Sequence, residues 1–217
     1  MSTIGTPSFD ERHSLAIRIW HWLFFVLLAS TITIVGLATF VFDTRANIPL
    51  VQGQLQEKGV HVNADQASSV PHAFNDLLWG LHTWIGYFIA AFVVGRLVLE
   101  AFQPGDERLG VKIGRAMGFI GVSAERAHAK KHYLRVKWAY IVFYAAILVM
   151  AITGVGLALE DVPIFRSMRG GIKSVHSFTQ YVVYAFIVAH LVGVIAADAG
   201  KYPGLVSGMI GGKKKAQ

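Results

Sequence analysis

The stretch VHSFTQYVVYAFIVAHLVGVIAA, residues 175–197, decides the fold of this 217-residue chain. Its 23 residues include no Asp, Glu, Lys or Arg. A helix of this length, rising about 1.5 Å per residue, crosses a hydrocarbon core about 30 Å thick. Comparable apolar runs occupy residues 19–42, 77–100 (interrupted by Arg96 and ending at Glu100) and 138–159. The sequence therefore predicts an all-α integral membrane protein, a four-transmembrane-helix bundle forming a single domain over residues 1–217.

The composition excludes several classes of protein. Hydrophobic residues make up 54% of the chain and charged residues 15%, against about 25% charged in an average soluble domain, which argues against disorder and against an ordinary soluble enzyme. The chain has no cysteine, so it can hold neither a disulfide nor a covalently attached c-type haem. The first apolar run is longer than the roughly 7–15 residues of a signal-peptide core, so we expect it to be retained.

The distribution of positive charge predicts the orientation. The N-terminal segment, Arg96, the segment 101–137 and the tail carry 15 Lys and Arg residues, whereas the segments 43–76 and 160–174 carry five. By the positive-inside rule, we expect both termini to face the cytoplasm, with the protein in the inner (cytoplasmic) membrane. The same asymmetry accounts for the net charge of +7, so a nucleic-acid partner is not expected.

The connections between the runs differ in length and charge. The outer loop 43–76 is long and polar, and the outer loop 160–174 is short. The inner loop 101–137 is basic and places apolar residues on one helical face, but it also contains Gly110, Gly114, Gly118 and Gly121. It therefore forms either a short helix in the membrane interface or an irregular basic loop.

Four histidines lie inside the apolar runs, where an ionisable side chain marks a functional site by default. His82 and His176 lie near the predicted outer ends of helices 2 and 4, and His21 and His190 lie nearer the cytoplasm. His176 and His190 are 14 residues apart, which amounts to about 1400° of helical rotation and about 21 Å of rise, so both point to one face. The four histidines thus form two pairs at two depths.

A pair of neutral imidazoles can hold a haem iron in its two axial positions, and a flat macrocycle fits between helices. We therefore expect two haem b groups, one held by His82 and His176 and the other by His21 and His190. The alternative is a haem-free transporter or channel whose histidines line a path for protons or metal ions. The apolar runs carry neither mid-membrane Asp or Glu nor mid-span Pro, which disfavours that alternative.

Glycines and cations in the runs supply further candidates. Gly36, Gly86 and Gly154 give either side-chain-free surface beside a macrocycle or close packing between helices, a common use of small residues in membranes. Arg18 and Arg96 either pair a haem propionate on the cytoplasmic side or anchor the helix ends among the lipid headgroups.

Several motifs resemble those of one family, the cytochrome b subunits of nickel–iron hydrogenases, which belong with the bacterial di-haem cytochrome b561 group. The motifs are R-x-x-H-W at 18–22, H-x-x-x-G-Y at 82–87 followed by Arg96, the pair His176 and His190, and V-S-x-M-I-x-G at 206–212. The resemblance covers roughly residues 12 to 212. It carries the family's axial ligands onto the same four histidines, His21, His82, His176 and His190.

The resemblance also implies electron transfer between the quinone pool and a second redox partner. The chain is then the membrane subunit of a periplasmic oxidoreductase, which the long outer loop favours, or a stand-alone quinol oxidase that passes electrons to oxygen species or a soluble carrier. Quinone enters from the lipid bilayer, and we expect it in the cytoplasmic half, where Arg18, Arg96, Arg135 and Lys137 supply donors and positive charge. Alternatively, these cations only anchor helix ends. A homodimer is also compatible with the sequence.

Overall fold

The structure, a computed structural model, describes residues 15–102, 111, 114, 124–200 and 204–212. Within these residues every regular element is a helix, and short turns connect the helices. In chain order the helices are α1 (Leu15–Gly36), which continues into a π-helical turn (Leu37–Val41), α2 (Thr44–Gln56), α3 (Ala64–Phe102), α4 (Ala124–Ala158), α5 (Pro163–Ala199) and α6 (Leu205–Gly211).

Four of the described helices are long and apolar enough to cross a membrane. The candidate spans are Leu15–Val41, Ala64–Glu100, Leu134–Ala158 and Pro163–Ala199. At most 22% of any span's apolar window is buried inside the protein, and large side chains such as Phe178 and Ile152 point outward. Apolar surface of this extent is stable against lipid and costly in water. The predicted all-α class with four membrane-spanning helices is confirmed, while the orientation of the termini stays a prediction.

The helices extend well beyond the apolar runs. α3 has 39 residues, which is about 58 Å at 1.5 Å per residue and nearly twice the thickness of a hydrocarbon core. Its first turns and all of α2 lie in the segment 43–76, whose polar, Pro- and Gly-containing sequence indicates a loop. The difference arises because an apolar run reports only the part of a helix that lies in lipid.

Side chains cap the starts of α2 and α3. The carboxylate of Asp43 accepts a hydrogen bond from the backbone N–H three residues later at 2.8 Å. Asn63 Oδ1 accepts from the backbone N–H of Gln66 at 2.8 Å, and Gln66 Oε1 accepts from the backbone N–H of Asn63 at 3.0 Å. This reciprocal pair is a capping box, which satisfies two backbone donors that the first turn leaves without partners. Polar residues here start helices as well as connecting them.

The π-helical turn fastens the end of α1 to α3. Asn75 donates its side-chain amide to the backbone carbonyls of Ala38 at 2.9 Å and Phe42 at 3.1 Å. A π-turn disturbs the regular helical bonding, so a side-chain donor at its carbonyls stabilises it. Asn75 lies seven residues before His82, about two turns along α3.

Two other segments bear on the predicted site. α4 begins at Ala124, so Lys137 lies within a helix, not at the end of a loop. Most of the candidate interfacial helix in 101–137 lies outside the described residues. In the tail, α6 is bounded by Gly204 with φ 88° and Gly212 with φ 68°, a left-handed conformation that glycine adopts without a steric penalty.

The chain divides into two compact units. One combines the chain up to Val26 with the chain from Tyr184 onward, and it contains His21 and His190. The other is Leu27–Val183, which contains His82 and His176. Each unit therefore holds one of the two histidine pairs.

Candidate functional site

His82 on α3 and His176 on α5 lie next to each other within the unit Leu27–Val183. Their ring centroids are 6.3 Å apart and their ring planes are nearly perpendicular, at 86°. Trp79, one turn before His82, packs edge-on against that imidazole with centroids 5.5 Å apart. Both histidines are half-buried. The fold thus brings together the two histidines that the sequence places at the same depth.

Each of these two imidazoles is hydrogen-bonded to a threonine. Thr31 Oγ1 lies 2.8 Å from Nδ1 of His82, and Thr153 Oγ1 lies 2.8 Å from Nδ1 of His176. The threonines belong to α1 and α4, so all four membrane-spanning helices contribute to this arrangement. Because Nδ1 is occupied in both rings, Nε2 is the nitrogen left for another ligand.

Gly154 gives the imidazole of His176 room to approach α4. A Cβ on Gly154 would lie 3.3 Å from Cε1 of His176, which is tighter than an ordinary van der Waals contact. The glycine therefore lets the ring lie directly on the helix backbone, next to its hydrogen bond with Thr153. The sequence leaves Gly154 either as surface for a macrocycle or as a site of close packing, and in the structure its neighbour is the ring of His176.

His21 on α1 and His190 on α5 form the second pair, in the unit that contains both chain ends. Their ring centroids are also 6.3 Å apart, with the planes inclined at 54°. Phe186, one turn before His190, stacks on that imidazole at 5.8 Å and 9°. Trp22 packs edge-on against His21 at 5.5 Å and 90°. Aromatic rings thus hold both imidazoles of this pair.

The guanidinium of Arg18 is engaged with the C-terminal end of α6. Its NH1 donates to the carbonyl of Ile210 at 3.0 Å, and Nε1 of Trp22 donates to the carbonyl of Met209 at 3.1 Å. These carbonyls lie in the last turn of α6, where they lack partners in the helix. Nε of Arg18 is buried and has no hydrogen-bond partner among the described residues. One donor of Arg18 is therefore left for a group such as a propionate.

The other predicted cofactor residues lie on α1, α3 and α4. Arg96 forms an ion pair with Glu100 one turn later, with N and O 3.0 Å apart. Lys137 is half-buried on α4. Gly36 and Gly86 face open space: a Cβ on either would meet no heavy atom within 4 Å beyond its own helix backbone. Among the described residues, neither glycine is therefore at a close contact between helices, and both leave open surface.

An apolar cavity of about 360 Å³ lies in the same unit as the His82–His176 pair. Its lining residues are Thr153, Met168, Gly171, Ile172 and Val175. Thr153 therefore borders an apolar cavity and also hydrogen bonds to His176.

Among the described residues, no three His, Asp or Glu side chains gather where they could hold a metal ion; the imidazoles come together in twos. The family model for prokaryotic cytochrome b561 matches residues 12–212. The chain belongs to the prokaryotic cytochrome b561 family. Searches of curated proteins and of solved structures found no match. As a cytochrome b561, the chain is a multi-pass membrane protein of b-type haem electron transfer, and the family expected from the motifs is confirmed.

The histidine pairs of this cytochrome b561 fit a haem held through its iron. An imidazole nitrogen binds a first-row metal ion at about 2.0–2.1 Å, and the ring centre lies about 1 Å beyond that nitrogen. Two imidazoles that would bind one metal ion from opposite sides would therefore have ring centres about 6 Å apart. Both pairs have 6.3 Å. Neutral imidazoles are also among the usual axial ligands of haem iron. The donor type and the spacing therefore both agree with the cofactor of the family.

Sequence reasoning missed the two threonines and the partner of Arg18. Thr31 and Thr153 are 51 and 23 residues from the histidines they contact, and many threonines in membrane helices only bond to their own helix. The contact of Arg18 with Ile210 spans 192 residues. Spacing along one helix predicts which residues share a face, but it does not say which side chain a neighbouring helix offers.

Proposed function

We propose that this cytochrome b561 holds two haem b groups, one between His82 and His176 and one between His21 and His190, and transfers electrons between membrane quinone and a redox partner. The observation that carries the proposal is that two separate histidine pairs have the same ring separation, 6.3 Å. That separation suits axial ligation of an iron on both sides.

The residues around each pair orient the imidazoles and limit the access of water. Hydrogen bonds with Thr31 and Thr153 hold Nδ1 of His82 and His176. At the other pair, Phe186 covers one face of His190 and Trp22 abuts His21. When bound, haem b supplies reversible one-electron chemistry, and the chain supplies ligation, burial and electrostatics.

The contacts that the other candidate cofactor residues already make determine the role that we propose for each of them. We infer that Nε of Arg18, buried without a hydrogen-bond partner among the described residues, is available to a propionate near His21. Gly36 and Gly86, whose missing Cβ atoms leave open space, supply flat surface for the macrocycle. Gly154 serves this site through His176, whose ring lies against it.

Quinone reactivity rests on family membership and on cations near the ends of the membrane spans of α3 and α4. Arg96, half-buried and paired with Glu100, and Lys137, half-buried on α4, supply charged donors for a quinone headgroup. We place them on the cytoplasmic side, because Lys and Arg are concentrated in residues 101–137, between the second and third apolar runs. Quinone reaches this level laterally from the lipid.

The redox partner is proposed to dock on the periplasmic side, where α2 and the first turns of α3 form an ordered helical hairpin. Gln52 of α2 donates to the carbonyl of Val62 before α3 at 3.1 Å, and Asn63 caps α3. A structured segment of this kind offers a partner a preformed surface. Rapid oxidation of quinol by oxygen with the purified chain alone would instead favour the stand-alone quinol oxidase.

The decisive experiment is a pyridine haemochrome assay on the protein purified in detergent, combined with protein quantification. We expect two extractable b-type haems per chain, because no cysteine can bind them covalently. One haem per chain would refute the two-site proposal, and a chain that takes up none would refute the function.

A further inference from the structure

We propose that Thr153 and Thr31 are positioning residues for one haem: their hydroxyls fix the rotation of the His176 and His82 imidazoles through Nδ1, and Thr153 also fixes the tautomer of His176. This inference rests on the proposed function, since it takes His82 and His176 as ligands of the same haem.

The tautomer follows from the proton count at Thr153. A hydroxyl has one proton to donate and two lone pairs to accept with. Oγ1 of Thr153 donates towards its own helix, to the carbonyl of Val149 at 2.6 Å, with the carbonyl of Met150 at 3.2 Å. Its contact with Nδ1 of His176 at 2.8 Å must therefore be one in which Thr153 accepts. Nδ1 of His176 carries the proton, and Nε2 keeps the lone pair that a metal requires.

The same arrangement recurs on the opposite ring. Nδ1 of His82 lies 2.8 Å from Oγ1 of Thr31, the same distance as on the His176 side. If His82 binds iron through Nε2, its proton is on Nδ1 and is donated to Thr31. Both imidazoles of the pair are then held by a hydroxyl from a different helix, Thr31 on α1 and Thr153 on α4. A hydrogen bond to the distal nitrogen fixes ring rotation and raises ligand basicity.

The site also limits how each ring can turn. Gly154 lets the His176 ring lie against α4, with Cε1 3.3 Å from where a Cβ would stand. Trp79 packs against the edge of His82 at 5.5 Å between centroids. With one edge packed and Nδ1 hydrogen-bonded, each imidazole has a single favoured direction for Nε2. The two ring planes are inclined at 86° to each other.

The redox consequence has a definite sign. A proton donated to a hydroxyl oxygen makes the imidazole a stronger electron donor, which stabilises ferric over ferrous iron. Replacing Thr153 or Thr31 by valine keeps the side-chain shape and removes the acceptor. The midpoint potential of one haem is therefore expected to rise, and its affinity to fall by about 10–100-fold, as is typical when such a partner is lost.

The test uses the full-length protein in detergent, with the variants Thr153→Val, Thr31→Val and their serine counterparts. Thr33→Val is the matched control, because Thr33 is also on α1 and its hydroxyl donates to the carbonyl of Ala29 at 2.9 Å. The readouts are haemin affinity, the midpoint potential of each haem and the EPR spectrum of the ferric protein. A role limited to packing would leave the potential unchanged in a valine variant that binds haem.

We expect both valine variants to raise the potential and alter the EPR signal of the same single haem, both serine variants to restore them, and Thr33→Val to match the wild type. Wild-type potentials and spectra in either valine variant overturn the proposal for that residue, as does a serine variant that behaves like valine. If a valine variant fails to retain haem, the serine variant of the same residue provides the test, because serine restores the hydroxyl acceptor that valine lacks. A wild-type protein without haem, or a His176→Ala protein that keeps both haems, would instead refute the proposed function.

Discussion

The guanidinium of Arg18 lies directly on the backbone of Gly212. A Cβ on Gly212 would stand 2.6 Å from Cζ of Arg18, and Gly212 itself has φ +68°. The start of α1 is thereby fastened to the end of α6 by residues from the two ends of the chain. Arg18 also donates to the carbonyl of Ile210, and a cation at this position is favourable because the C-terminal end of a helix carries partial negative charge.

Replacing Gly212 by alanine is expected to destabilise the tail. A left-handed residue with a Cβ costs about 1–2 kcal/mol, and the new methyl group would also displace Arg18 from its place. Thermal unfolding of the purified protein should therefore occur at a lower temperature. Gly211→Ala is the matched control, because a Cβ there would meet no heavy atom within 4 Å. Equal unfolding temperatures for the two variants would contradict this contact.

Arg18→Gln should release α6 from α1. The variant loses both the charge at the helix end and a hydrogen bond, together about 1–2 kcal/mol. A protease should cleave the tail of the variant faster than the tail of the wild-type protein. Limited proteolysis followed by mass spectrometry measures this rate. Arg166→Gln serves as the control, because the side chain of Arg166 is 69% exposed. If Arg18 also holds a propionate, Arg18→Gln should shift the spectrum of the haem bound by His21 and His190, whereas Arg166→Gln should leave it unchanged.

The four histidines should fall into two classes when they are replaced one at a time. His82→Ala and His176→Ala are expected to remove one haem, and His21→Ala and His190→Ala the other, because each pair shares one ring separation of 6.3 Å. Redox titrations monitored by absorbance distinguish the two haems by their potentials. Loss of the same haem in His21→Ala and His82→Ala would show that the pairing is wrong.

Arg96→Ala and Lys137→Ala are expected to slow haem reduction by quinol while leaving the haem content unchanged. Removal of a charged donor at a reacting oxygen typically costs about tenfold or more in rate. Stopped-flow absorbance with a reduced quinone analogue gives the rate. Glu100→Gln is the control, since it removes the ion-pair partner of Arg96 and keeps the cation. Wild-type rates in both alanine variants would exclude these cations from the quinone site.

The charge distribution predicts that both termini lie in the cytoplasm. A reporter fused after Gln217 should be active only as a cytoplasmic reporter, and one inserted near Gln56, in α2, only as a periplasmic one. The physical reason is the retention of Lys- and Arg-rich segments on the cytoplasmic side. A periplasmic C-terminus would reverse the assignment of the two haems to the two membrane surfaces.

The sequence by itself determined the class of the protein and the identity of its candidate ligands. Uninterrupted apolar runs indicate membrane helices because lipid leaves a backbone no other way to satisfy its hydrogen bonds. Histidines in such runs stand out because an ionisable group there needs a function. The depth of His21, His82, His176 and His190 along their helices then predicts which two belong together, because the rise per residue is fixed. The same criterion could not find α2 or the first turns of α3, whose residues are too polar to form an apolar run.

Only the tertiary structure decided what lies around those histidines. Thr31 and Thr153 reach Nδ1 of His82 and His176 across helix boundaries, and Arg18 reaches Ile210 and Gly212 at the far end of the chain. Helical periodicity fixes the face on which a side chain lies, but the rotation and axial offset of the neighbouring helix are set by packing of the whole fold. Which hydroxyl meets which nitrogen depends on those offsets to within about an ångström, since a hydrogen bond tolerates little more.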